Sequence, residues 1–65
     1  MITNRDKAKC AAREAKNRHY VYRRLVREER MGQEVAEREI EIMEAVAEDY
    51  RRLADAEEAQ SRLPL

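Results

Sequence analysis

The chain has one glycine, one proline, one cysteine, one histidine, and no tryptophan or phenylalanine. Each shortage closes a route. A single cysteine, Cys10, forbids an intrachain disulfide, and with His19 the only histidine a four-ligand Cys/His zinc site is excluded. No apolar run exceeds three residues, as at Tyr20-Val21-Tyr22, so no segment is expected to span a membrane. The N-terminal Met-Ile-Thr-Asn-Arg-Asp-Lys lacks an apolar h-region and does not read as a signal peptide. A cytoplasmic protein with a reduced thiol and no membrane partner is the expectation.

Size adds a further limit. The chain has 65 residues, and below about 70–80 residues a single core rarely supplies more than ~3–5 kcal/mol. With disulfide and metal excluded, a partner chain is the remaining means of support, and a homodimer is expected.

What is present is charge and helix formers. Charged residues make up 43% of the chain, which alone leans towards disorder, but the apolar residues are spaced as in a helix. Thr3-Asn4-Arg5-Asp6 fits a capping box at the start of a first helix over about residues 4–29. Ala8, Ala11, Ala12, Ala15, His19, Tyr22, Leu25 and Val26 then recur at helical steps and form a face that is small in its first half. Gly32 marks the break, either as the left-handed residue ending the first helix or as the N-cap of the second, within a turn over about 29–33. A second helix over about 33–60 carries Ala36, Ile40, Met43, Ala47, Tyr50 and Ala54, widened by Val35, Ile42, Val46 and Leu53. Glu34–Arg38 and Glu48–Arg52 offer i,i+4 support. Leu63-Pro64-Leu65 reads as a non-helical tail.

The fold class expected is all-α, an antiparallel two-helix hairpin dimerising into a coiled-coil-like four-helix bundle. A kink or short extra helix between Tyr22 and Arg30 is left open. A turn centred on Gly32 pairs residues whose numbers add to about 65, such as Leu25 with Ile40, His19 with Val46 and Ala12 with Leu53.

Charge is segregated. Residues 1–30 hold ten Lys/Arg against four Asp/Glu, and residues 31–65 hold the reverse, so +6 and −6 cancel to zero. Lys9, Arg13, Lys16, Tyr20, Arg23, Arg27 and Arg30 form a basic stripe on helix one, displaced about 120° from its core face. This stripe is the candidate face for a partner or for nucleic acid. Glu34, Glu37, Glu41, Glu44 and Glu48 form an acidic counterpart on helix two, continued by Asp55 and Glu58 past Arg51. The expectation is a two-faced hairpin, basic on one outer flank and acidic on the other. Val21, Ile42 and Val46 lie at the edges of the apolar stripes and are the candidate dimer interface.

Nothing points to catalysis. There is no Gly-rich phosphate loop and no Ser beside a His, and Cys10 and His19 are too far apart along one helix to touch. A hairpin also offers no water-excluding pocket in which carboxylates would be perturbed. No enzyme activity, cofactor or metal is expected. His19 reads as a partly buried packing residue beside Val46, and Tyr22 and Tyr50 as core anchors. The two charged stripes read first as solvated faces, then as surfaces for self-association or, on helix one, for nucleic acid.

The blocks KAKCAAREAKNRHYVYRRLV and MGQEVAEREIEIMEAVAEDY, within Lys7–Tyr50, resemble a group of small uncharacterised proteins encoded in proteobacterial genomes, often in prophage regions. That group's pattern has a proline where this chain has Arg23 and a Ser or Thr cap at Gly32. The group brings no established activity, so the resemblance implies a phage or mobile-element setting rather than a mechanism. The reading is a non-catalytic helical interaction protein that modulates a protein partner, with nucleic-acid binding through the basic stripe as the alternative.

Overall fold

The computed structural model describes residues 1–62. The expected tail at Leu63-Pro64-Leu65 lies outside the described residues. Two antiparallel helices, α1 (Asn4–Arg27) and α2 (Gln33–Ser61), pack along their length into an all-α hairpin. The slab measures 57 × 19 × 13 Å.

α1 begins where the sequence marks it. The Asp6 backbone N–H donates to Thr3 Oγ1 at 3.0 Å, and the Thr3 N–H donates to Asp6 Oδ2 at 3.0 Å. This reciprocal box satisfies two donors that a helix start otherwise leaves to solvent. The helix runs unbroken through Arg23, with no extra helix between Tyr22 and Arg30.

Its end differs from expectation. Gly32 does not take a left-handed conformation; Glu29 does, at φ 58°. The Arg30 N–H donates to the Leu25 carbonyl at 2.9 Å and the Glu29 N–H to the Val26 carbonyl at 3.0 Å, a Schellman closure. Of the two roles the sequence offered Gly32 it takes the second, as the extended N-cap of α2, at φ −70° and ψ 143°. The cause is geometric. Packed helix axes stand about 8–10 Å apart, and a helix ending at Gly32 would leave no chain to cross that gap. The link over residues 28–32 makes the crossing.

The earlier turn moves the register. Cross-helix pairs do not add to 65. Arg5–Glu58 and His19–Glu44 add to 63 on one face, and Arg18–Glu39 and Lys7–Tyr50 add to 57 on the other. Their midpoint corresponds to a turn centred on Arg30, about one helical turn from the expected alignment.

The core is small. Ala8, Ala11, Ala15, Ala36 and Ala54 are buried, and among the described residues no large side chain is fully enclosed. Tyr22, Leu25, Val26, Ile40, Met43, Ala47 and Tyr50 are half-buried. Alanine lets the backbones come close, and the larger residues cover the edges of the seam. Ala12 and His19, expected inside, are exposed. Among the described residues no helix is long and apolar enough to cross a membrane.

Candidate interaction faces

The slab has two broad faces with different chemistry. The first carries charge. Arg23, Arg27 and His19 line a groove together with Glu37, Glu41 and Glu44, over a floor of Val26, Ala36 and Ile40. Its continuation sets Lys9 and Lys16 against Glu44 and Glu48, over Ala8, Ala12, Ala15 and Ala47. The basic and acidic stripes therefore border the same groove and not opposite flanks. Each stripe is rotated from its core line in the same sense along its own chain. In antiparallel helices, equal-sense rotations emerge on the same side.

Two members leave the basic stripe. Arg13 lines the opposite groove with Cys10, Glu14 and Val46. Arg30 sits in the loop, 3.7 Å from Glu28. Tyr20 is 80% exposed among Lys16, Arg23, Arg24 and Arg27. Glu34 stands apart at the start of α2 beside Gly32 and Val35.

Ion pairs lace this face. Arg5 donates to Glu58 Oε2 at 2.9 Å and also to Asp55, clasping the two helix ends together. Hydrogen bonds from Arg5, then burial opposing them, leave the Asp55 and Glu58 carboxyls net below their usual range. Arg51 and Arg52 both donate to Glu48, whose pKa falls to about 2, chiefly through the Arg51 bond. Arg51 also reaches Asp55 at 2.8 Å. His19 Nε2 stands 3.3 Å from Glu44 Oε2, a surface pairing in place of the expected packing on Val46. Arg5 was not part of the basic stripe read from sequence, although it lies four residues before Lys9 and continues its period.

The second face is apolar along α2. Val35, Ile42 and Leu53 are 57%, 43% and 50% exposed, with Val46 half-buried beside them. At 3.6 residues per turn these four fall within an arc of roughly 40°. Val21, on α1, is also exposed on this side. Arg18 spans the seam here, donating to the Glu39 carbonyl at 2.9 Å and to Glu14 at 3.2 Å, and lies over the Tyr22 ring. Lys7 sits 5.2 Å from the Tyr50 ring centre. So Val21, Ile42 and Val46 share one face, extended by Val35 and Leu53. Those two were assigned to the stripe by sequence, but their exposure follows from the narrow seam that alanine makes.

Comparisons with protein-family models, with curated proteins and with solved structures returned no match.

Proposed function

We propose that the chain is a non-catalytic interaction protein whose apolar face, centred on Ile42, docks against another polypeptide. One observation carries this. Val35, Ile42 and Leu53 stand exposed in line on one face, while the seam beneath encloses little more than alanine. A hairpin with so small a core gains most by covering that line, since burial returns about 25 cal/mol per Å² of apolar surface. A cytoplasmic location, expected from the sequence, and a phage or mobile-element setting, which the resemblance implies, complete the reading.

Nucleic-acid binding is the lesser reading. The basic row faces Glu37, Glu41, Glu44 and Glu48 across one groove. A phosphate backbone laid on Arg23 and Arg27 would meet those carboxylates as well.

Photocrosslinking in cells tests the interaction reading. A benzophenone amino acid replaces Ile42 on the apolar face or Arg24 on the outer edge of α1. A discrete polypeptide adduct from position 42, absent at 24, is expected. No adduct at 42, or equal adducts at both positions, would overturn the reading.

A further inference from the structure

We propose that the occupant of the apolar face is a second copy of this chain, packed antiparallel about a two-fold axis crossing the face at the level of Glu44. This rests on the interaction reading and names its partner.

Area comes first. The chain exposes 5600 Å², whereas a compact monomer of 7.7 kDa exposes about 4,300 Å². The excess is on the order of 1,300 Å², and a standard interface removes roughly 600–1,000 Å² from each partner. One such interface fits within the excess, and the long flat slab supplies the shape for it.

Symmetry favours a second copy over an unrelated helix. In a two-fold interface, residue i meets residue j and j meets i. An antiparallel pairing of identical helices therefore needs a pattern that reads alike in both directions. Val35, Ile42, Val46 and Leu53 are spaced seven, four and seven residues apart. Antiparallel alignment about the level of Glu44 sets Val35 on Leu53 of the second copy and Ile42 on its Val46. An unrelated partner would impose no such palindrome.

The rim charges follow the same alignment. Arg38 and Asp49 lie along the outer edge of the stripe, and among the described residues neither takes part in an ion pair. The expected Glu34–Arg38 pair is not made, whereas Glu48–Arg52 is, at 3.1 Å. In the antiparallel register Arg38 of one copy falls within one residue of facing Asp49 of the other, twice over. On α1, Val21 comes to Cys10 of the second copy, and Glu14 to its Arg18.

The other two-fold, parallel to the helices, fails by the same accounting. It lays α1 on α2 of the second copy at equal height. Glu14 and Arg18 would then cover Val46 and Ile42, placing charge on apolar surface.

The test uses the purified full chain. Sedimentation across concentrations should give twice the 7.7 kDa chain mass. R38D or D49R alone should raise the dimer Kd on the order of tenfold, because each puts like charges at both symmetric contacts. Mixing the two variants in equal amounts should restore the dimer. The acid introduced on one copy then faces the base introduced on the other, and the unaltered Asp49 and Arg38 face each other at the second contact. If a single variant loses its helix on dissociating, mixing should restore the helical circular dichroism. A single-chain mass at every concentration overturns the second copy, while an Ile42 adduct to a different polypeptide would leave the interaction reading standing. A dimer indifferent to both swaps, or variants that mixing does not rescue, overturns the antiparallel register.

Discussion

Glu29 and Gly32 exchange the roles their side chains favour: Glu29 holds the left-handed backbone at φ 58°, and Gly32, three residues on, is extended at φ −70°. A residue with a Cβ in the left-handed region carries a cost of roughly 1–2 kcal/mol that glycine escapes. Glu29→Gly should therefore stabilise the hairpin, by about 1 kcal/mol and a Tm rise of roughly 4–8 °C. Thermal unfolding followed by circular dichroism checks this, and an unchanged or lower Tm would contradict it.

Gly32 should tolerate a better cap. It makes no side-chain cap bond, and a Cβ there would meet only Val35 Cγ2, at 3.9 Å. Gly32→Asp and Gly32→Ser should each gain about 0.5 kcal/mol, from a side-chain acceptor for the first turn of α2 and a stiffer unfolded chain. Gly32→Ala lacks the acceptor and should rank below both in a denaturant titration.

The seam should resist enlargement where the alanines meet. Ala54 is 2% exposed, so Ala54→Leu must push the helices apart and should cost about 1–3 kcal/mol. Ala12 is exposed, and Ala12→Leu should leave the melting curve within about 0.5 kcal/mol of the parent. A turn centred on Gly32 would have predicted Ala12 as sensitive, so the pair of variants reports on the register.

Acid should loosen the C-terminal half of α2 first. The Glu48 carboxyl titrates at about 2 in the fold against an ordinary 4.5, because Arg51 and Arg52 hydrogen-bond its charged form. A depressed carboxyl contributes stability above its unfolded pKa and loses it as pH falls through the folded one, here from about 4.5 towards 2. Asp55 and Glu58 are lowered in the same direction through Arg5. Asp55 and Glu58 are exposed and Glu48 is half-buried at the surface, so salt should shrink the effect. Amide exchange along α2 at pH 3 and pH 6 should show protection falling beyond Glu48 before it falls near Ala36.

Nucleic acid should be retained weakly or not at all. With Glu37, Glu41, Glu44 and Glu48 in the groove of the basic row, the chain should not shift DNA or RNA at about 50 mM salt. Retention there that vanishes near 200 mM salt would restore the basic row as a binding surface.

Local chemistry made much of this protein legible. The Thr3–Asp6 box, the absence of glycine and proline through α1, and the three- and four-residue steps of both helices are encoded within a few residues. They are settled by hydrogen bonds and side-chain periods that need no distant partner. So a hairpin was readable, as were the rows of charge along each helix. Where those rows point was not readable from one helix at a time. Only antiparallel packing brings Arg23 and Arg27 to the same groove as Glu37 and Glu44. Only the crossing distance between axes moves the turn from Gly32 to the Glu29 Schellman closure, and with it the register that takes His19 off Val46 and onto Glu44. The alanine-lined seam is the last such decision. By drawing the helices together it leaves Val35, Ile42 and Leu53 outside, because five small side chains can enclose no more than themselves.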